Sequence, residues 1–201
     1  MIELAILGLL KEHELHGYEL RKRLGDLPGA RSAVVSFGSL YPALARLEKA
    51  GLVKAVEANT VPAVPSSGSL AGELAAFRSR RSASTRAGRS KKVYGITSRG
   101  DAALVELLTD PAPADERTFA LKVAFCRHLE AGPRLELFER RRAELVQRAA
   151  AAARKREPER LFDRYTRSLR ERDDQTLTND LAWLDRLIAD ERASISEEPA
   201  S

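Results

Sequence analysis

The chain has 201 residues, of which 43% are hydrophobic, enough for one large domain or two small ones. A single cysteine excludes an internal disulfide framework, and neither a charged and apolar leader nor a membrane-length apolar run is present, so a soluble cytoplasmic protein is expected. Residues 1–100 have a net charge of about +8 and residues 101–201 of about −3. A basic half joined to a mildly acidic half favours a nucleic-acid-binding domain on an assembly module.

The first thirty residues predict two helices. An apolar stripe begins the chain and ends at the polar run HELHG, and it consists of Ile2, Ile6, Leu9 and Leu10. A second helix is predicted to start at Gly17, with Leu20 and Leu24 on one face, and to end near Gly25 or Pro28.

The run GSLYPALARLEKAGLV, residues 38–53, predicts a third helix with two different faces. Leu40, Leu44 and Leu47 recur at helical spacing and are expected to face a core, while the other face carries Tyr41, Pro42, Ala45, Arg46 and Lys49. Ser36 or Ser39 is expected to cap this helix, Pro42 to lie near its first turn, and Gly51 to end it in a left-handed conformation. Two cations beside small side chains suit an anionic groove such as that of DNA. The alternative is an ordinary solvated face.

Two short β-favouring runs, LVKAV and KVYGIT, predict the hairpin of a wing. The connection between them, residues 57–92, is much longer than a hairpin needs, and its segment SLAGELAAF predicts a short helix. Residues 78–92 contain seven cations and no anion, which favours DNA contact over a merely polar loop. Ser98 and Asp101 have capping-box spacing before a further helix, and DPAPADE, residues 110–116, is typical of a domain boundary.

The remainder of the chain predicts long helices with narrow apolar stripes. One long helix is expected between Pro133 and Pro158, and a later stretch is expected to be interrupted at residues 173–175. Two such helices leave their stripes open at the edges, so a homodimer is predicted. The expected interface residues are Leu177, Leu181, Trp183, Leu184 and Ile188.

Other chemistry has little support in the sequence. No catalytic motif is present, and neither a metal nor a cofactor is expected, because the three histidines lack a completing Cys or acidic cluster. Cys126 is expected to be a buried apolar residue, with a redox role as the alternative. Trp183 or Phe162 could also line a ligand pocket, but no effector site can be assigned.

Four motifs in order resemble the PadR family of bacterial transcriptional regulators: ILGLL, HGYEL, GSLYPALARLEKAGLV and YGITSRG. The similarity covers residues 2–108 apart from the long wing loop. It implies a winged helix-turn-helix dimer, usually a repressor and in some members relieved by a small molecule. Tyr18, Ser39, Tyr41 and Pro42 match family positions at or near the DNA backbone and groove.

The sequence therefore predicts a mainly α-helical protein with a small β-wing. Residues 1–109 form a winged helix-turn-helix domain, residues 115–192 a helical dimerisation domain and residues 193–201 a tail. The predicted DNA-binding residues are Tyr18, Ser36, Ser39, Tyr41, Pro42, Arg46, Lys49, Arg78, Arg80, Arg81, Arg86, Arg89, Lys91 and Lys92. The expected partners are a double-stranded DNA operator, a second copy of the chain and a small-molecule effector, with no membrane. The alternative is a helical adaptor whose winged domain binds protein.

Overall fold

A computed structural model describes residues 1–27, 37–57, 92–154 and 162–197. The chain divides into two compact units: Met1–Leu107 with Glu116–Ala124, and Leu108–Asp115 with Phe125–Ser201. Most of the described residues are helical and a small antiparallel sheet accompanies them, so the predicted fold class is confirmed. The helix Glu116–Phe125 clusters almost entirely with the first unit, whereas the sequence division assigned residues 115–192 to a second domain.

The first unit is a winged helix-turn-helix. Its elements are α1 (Ile2–Glu12), β1 (Leu15–His16), α2 (Gly17–Asp26), α3 (Phe37–Lys49), β2 (Val53–Glu57), β3 (Lys92–Ile96), α4 (Ser98–Thr109) and α5 (Glu116–Phe125). Every residue of α1 from Leu4 to Leu10 is buried, so this helix is the centre of the core rather than an amphipathic surface helix. The predicted buried faces of α2 and α3 are confirmed, because each of their leucines is at most 2% exposed, namely Leu20, Leu24, Leu40, Leu44 and Leu47.

The sheet has three antiparallel strands in the order β1-β3-β2. Val53 lies opposite Ile96 and Ala55 opposite Tyr94, which confirms the predicted hairpin between β2 and β3. On its other edge β3 pairs with β1, where Leu15 lies opposite Tyr94. Strand β1 was not predicted, because two residues are too few to show the alternation of a strand. The predicted short helix in SLAGELAAF lies outside the described residues.

The start of α3 differs from the prediction. The helix begins at Phe37, so Ser39 is its third residue and cannot be its cap, while Ser36 lies outside the described residues. Pro42 is the sixth residue, beyond the first turn, and its missing N–H leaves one intrahelical hydrogen bond unmade. The helix end is as predicted, since Gly51 has a φ of 71° that suits glycine far better than other residues.

The second unit contains two long antiparallel helices, α6 (Ala131–Arg154) and α7 (Arg164–Glu197), after a 3₁₀ turn at Cys126–His128. The expected interruption at residues 173–175 is wrong, because α7 passes through them without a break. No glycine or proline interrupts this stretch, and the hydroxyl of Thr176 donates to the Arg172 carbonyl 2.8 Å away, which satisfies a polar side chain inside the helix.

Asp163 caps α7. Its carboxylate accepts hydrogen bonds from the backbone N–H groups of Tyr165 at 2.7 Å and Thr166 at 3.1 Å, as well as from the Thr166 hydroxyl. These donors stabilise the charged form and lower the pKa of Asp163. The start of α7 is therefore encoded locally.

Candidate nucleic-acid interface

The predicted DNA-binding face of α3 is accessible. Ser39, Tyr41, Pro42, Arg46 and Lys49 are all exposed, on the side opposite the buried leucines. The two-faced character that the sequence predicts is thus confirmed, whereas contact with DNA stays a prediction. By helical spacing, Pro42, Ala45 and Lys49 lie along the middle of the exposed face.

Tyr41 lies at the edge of α3 that faces α2. A Cβ atom added to Gly17 would come 3.1 Å from the Tyr41 hydroxyl and 3.2 Å from its ring, so the ring covers the backbone at the start of α2. This close approach is a physical reason for the glycine in HGYEL. The next residue, Tyr18, is 69% exposed, and two phenol groups are therefore presented where α2 and α3 meet.

Arg46 lies at the opposite edge of α3, which faces α1. Its Nη2 atom is 3.5 Å from Oε1 of Glu3, in the first turn of α1. Both side chains are well exposed, at 61% for Arg46 and 43% for Glu3. Glu3 is not among the predicted site residues, because it lies 43 positions from Arg46 in the sequence and neither local spacing nor charge runs connect the two.

Lys92, at the base of the wing, is one of the predicted DNA-binding cations and lies within the described residues. Nζ of Lys92, at the start of β3, is 3.9 Å from Oε1 of Glu48 on α3. Two positions further along β3, Tyr94 is buried; burial raises its pKa most, and Glu48 and Tyr41 raise it further. The other predicted wing contacts lie outside the described residues, namely Arg78, Arg80, Arg81, Arg86, Arg89 and Lys91.

Hydrogen bonds of Thr97 join the end of α3 to the base of the wing and to α4. The Thr97 hydroxyl donates to the Gly51 carbonyl at 2.7 Å and accepts from the Gly100 N–H at 3.1 Å, while the Thr97 N–H donates to the Leu52 carbonyl. Thr97 therefore caps α4, and the prediction that Ser98 does so is wrong, since Ser98 is already the first helical residue. The hydrogen bonds of Thr97 fix the base of the wing relative to α3.

Gly100 makes this junction possible. A Cβ atom at Gly100 would come 2.1 Å from the Leu52 carbonyl oxygen, a distance that no side chain can occupy. The motif YGITSRG thus has a local physical basis, with a threonine cap and a glycine at the point of closest approach. Sequence reasoning found the motif but not the role of either residue.

The predicted dimer interface is divided between two environments within the second unit. Leu184 and Ile188 are only 1% and 6% exposed in a single chain, whereas Leu177 and Leu181 are half-buried and Trp183 is 38% exposed. Ion pairs connect α6 to α7, with Arg134 donating to Glu191 at 2.7 Å and Arg142 to Asp185 at 2.5 Å. The pairing with α6 therefore already covers part of the stripe that was assigned to a second subunit.

Sites for other chemistry are sparse in the described part of the chain. There, no group of three or more His, Cys, Asp or Glu residues is placed to hold a metal ion. Cys126 is half-buried, and burial raises the pKa of its thiol more than the nearby Arg134 lowers it, which disfavours the reactive thiolate. None of the described helices is long and apolar enough to span a membrane.

Residues 6–64 match the model of the transcriptional regulator PadR-like family, and this match includes most of α1 and all of α2, α3 and β2. The predicted PadR resemblance is confirmed over these residues. In functional class, the chain is a DNA-binding transcriptional regulator. No curated protein matches the sequence.

Several solved structures are similar to this chain. One is Bacillus subtilis PadR in complex with operator DNA, with 19% identity, 97% of each chain covered and a TM-score of 0.38. The PadR-like transcriptional regulator BC1756 from Bacillus cereus has 17% identity, with 96% of this chain and 98% of that chain covered and a TM-score of 0.35. A third, smu.1604c from Streptococcus mutans UA159, has 16% identity, with 97% of this chain and 98% of that chain covered and a TM-score of 0.35.

Proposed function

We propose that the protein is a homodimeric repressor that recognises a two-fold symmetric operator, with residues 1–109 binding DNA and residues 115–192 forming the dimer. The observation that carries this proposal is the exposed face of α3, where Arg46 and Lys49 flank the small residue Ala45. A helix with small and cationic side chains can enter the major groove, where arginine contacts guanine and hydroxyls contact phosphate. Because the proposed ligand is the chromosome, the proposed site of action is the cytoplasm, without a catalytic role.

Arg46 is the proposed base-reading residue, and Tyr41 and Tyr18 are the proposed phosphate contacts. Arginine presents a planar fork of donors that matches the guanine edge in the major groove. The two phenols lie beside the start of α2, where backbone N–H groups also favour phosphate. A dimer presents two α3 helices, so the half-sites should lie about one helical turn of DNA apart, or a multiple of it.

Dimerisation is supported by the apolar side chains that the second unit leaves accessible. Trp183 and Leu169 of α7 and Val146 of α6 are exposed in the single chain. Large apolar groups of this kind are enriched at subunit interfaces. They form the proposed interface together with the half-buried Leu177 and Leu181.

Relief of repression by a small molecule is the part of the proposal that rests on the family resemblance. Phe162 is covered on one face by the guanidinium of Arg170, 3.6 Å from the ring centre, and Trp183 is partly exposed. Because Trp183 is the only tryptophan, its fluorescence can be followed during titration with a panel of small organic molecules. Saturable quenching that also releases bound DNA is expected of an effector. Quenching without release would identify a ligand that does not regulate.

The salt dependence of duplex binding tests the proposal against the adaptor alternative. Each phosphate neutralised by the protein lowers the slope of log affinity against log salt by about 0.9, so six contacts would give a slope near −5. The full-length protein should show such a slope on a duplex selected by the protein from fragmented genomic DNA. A protein that does not retain any fragment above a random duplex, or whose slope is near zero, would favour the adaptor function.

A further inference from the structure

The ion pair between Arg46 and Glu3 places a carboxylate at the edge of the proposed DNA-binding face. The two side chains come from different helices, α3 and α1, and their charged atoms are 3.5 Å apart. Arg46 is the proposed base reader, and although its side chain is exposed, its guanidinium lies beside a carboxylate. Lys49, in the middle of the same face, has no carboxylate within ion-pair distance in the part of the chain that the structure describes.

We propose that Glu3 is a specificity-determining residue, which weakens the contact of Arg46 with DNA phosphates more than its contact with a base edge. The inference rests on the proposed function, since it requires that Arg46 meets DNA. It adds a role for α1, whose residues are otherwise the core of the winged unit.

The two DNA groups that can accept a hydrogen bond from Arg46 differ in charge. A phosphate bound to Arg46 carries a negative charge and would lie close to the Glu3 carboxylate, within the screening length of about 8 Å at physiological ionic strength. The guanine edge has no net charge, so Glu3 repels it much less. Binding to random sequence, which depends on phosphate contacts, is therefore penalised more than binding to an operator.

The pair is also weak enough to open when a better acceptor is available. Exposed ion pairs are stabilised by a small free energy, because solvent screens the charges and the side chains lose conformational freedom. A bidentate contact of Arg46 with guanine can replace the single contact with Glu3 at 3.5 Å. Glu3 thus competes with phosphate without preventing base recognition.

The first unit offers a matched control in Glu14. Its carboxylate forms an exposed ion pair of the same type, 3.0 Å from Nζ of Lys54 on β2. Neither Glu14 nor Lys54 is among the proposed DNA contacts. Like Glu3→Gln, Glu14→Gln therefore removes one negative charge from the first unit, but it leaves the ion-pair partner of Arg46 in place.

The experiment compares the affinities of the full-length protein for two duplexes of equal length: a fragment that it selects from genomic DNA, and a scrambled version of that fragment. At low salt, Glu3→Gln should raise affinity for the scrambled duplex about threefold to fivefold and for the selected fragment less than about twofold. The ratio of the two affinities should fall, and Glu14→Gln should leave it unchanged. In an Arg46→Ala background, Glu3→Gln should no longer change the ratio.

The outcomes separate this inference from the proposed function. An equal rise on both duplexes, or a change of ratio that persists without Arg46, would overturn the role of Glu3. If Arg46→Ala weakens binding to the selected fragment while Glu3→Gln leaves the ratio alone, only the inference fails. If Arg46→Ala changes neither affinity, the proposed reading by Arg46 fails and the inference fails with it. Unchanged thermal unfolding of Glu3→Gln shows that altered packing of α1 is not the cause.

Discussion

The two units of the chain bury their helices to very different extents. In the first unit, α1 is buried along seven consecutive residues and a three-stranded sheet packs beside it. In the second, α7 has its fully buried residues only in its second half, at Leu184 and Ile188. Its first half exposes Tyr165 and Leu169 at 67% and 59%.

This difference indicates that the first unit can complete a hydrophobic core by itself, whereas the second has further apolar surface to bury. A helix with an uncovered apolar edge is stabilised by association, because removing that surface from water is favourable. The proposed function follows the same division: the first unit holds a rigid surface for DNA, and the second joins two such surfaces. Substitutions at paired positions of the two units test this division.

The largest effect is expected at Gly100, where the added methyl group of Gly100→Ala would overlap the Leu52 carbonyl at 2.1 Å. The backbone must shift to relieve the overlap, at a cost of about 3 kcal/mol to the first unit. Urea unfolding followed by circular dichroism should show the destabilisation, while the Trp183 fluorescence transition, which reports the second unit, should change little.

Gly25 provides a control in the same unit, because it also lies in a helix but an added Cβ meets no atom of a non-neighbouring residue within 4 Å. Gly25→Ala should stabilise the first unit by about 0.5–1 kcal/mol through lower backbone entropy in the unfolded chain. Equal destabilisation by both substitutions would contradict the close approach at Gly100.

Neighbouring residues of α7 separate folding from dimerisation. Leu184 is 1% exposed, so Leu184→Ala should destabilise the second unit by about 2–5 kcal/mol. Trp183 is 38% exposed, so Trp183→Glu should leave the helical content unchanged and shift the protein from dimer to monomer in sedimentation. A folded Trp183→Glu protein that remains dimeric would place the interface elsewhere.

A smaller effect is expected from the five arginines of the wing loop, which lie outside the described residues. Replacing Arg78, Arg80, Arg81, Arg86 and Arg89 with Gln should flatten the salt dependence of duplex binding, by about 0.9 in slope for each phosphate that the loop no longer neutralises. Folding should be unaffected. An unchanged slope would show that the loop does not touch DNA.

The sequence predicts well those features that are encoded locally. The two faces of α3, the left-handed Gly51 and the β2–β3 hairpin all follow from spacing and turn chemistry within a few residues. Contacts between distant segments could not be predicted, including the Arg46–Glu3 pair, the Tyr41 ring over Gly17, and β1. The predicted dimer interface on α7 has the same limit. Helical spacing identifies an apolar face but does not show whether α6 or a second chain covers it.

The most direct test of the central claim, that the exposed face of α3 reads DNA bases, is binding of wild-type and Arg46→Ala proteins to a panel of single-base variants of a selected operator. Arg46→Ala should cost about 1–3 kcal/mol and remove the preference at one base pair in each half-site, as expected when a bidentate guanine contact is abolished. Tyr41→Phe, a proposed phosphate contact, should weaken all variants nearly equally. If Arg46→Ala also weakens every variant by the same factor, Arg46 contacts only the backbone and this account of base reading is contradicted.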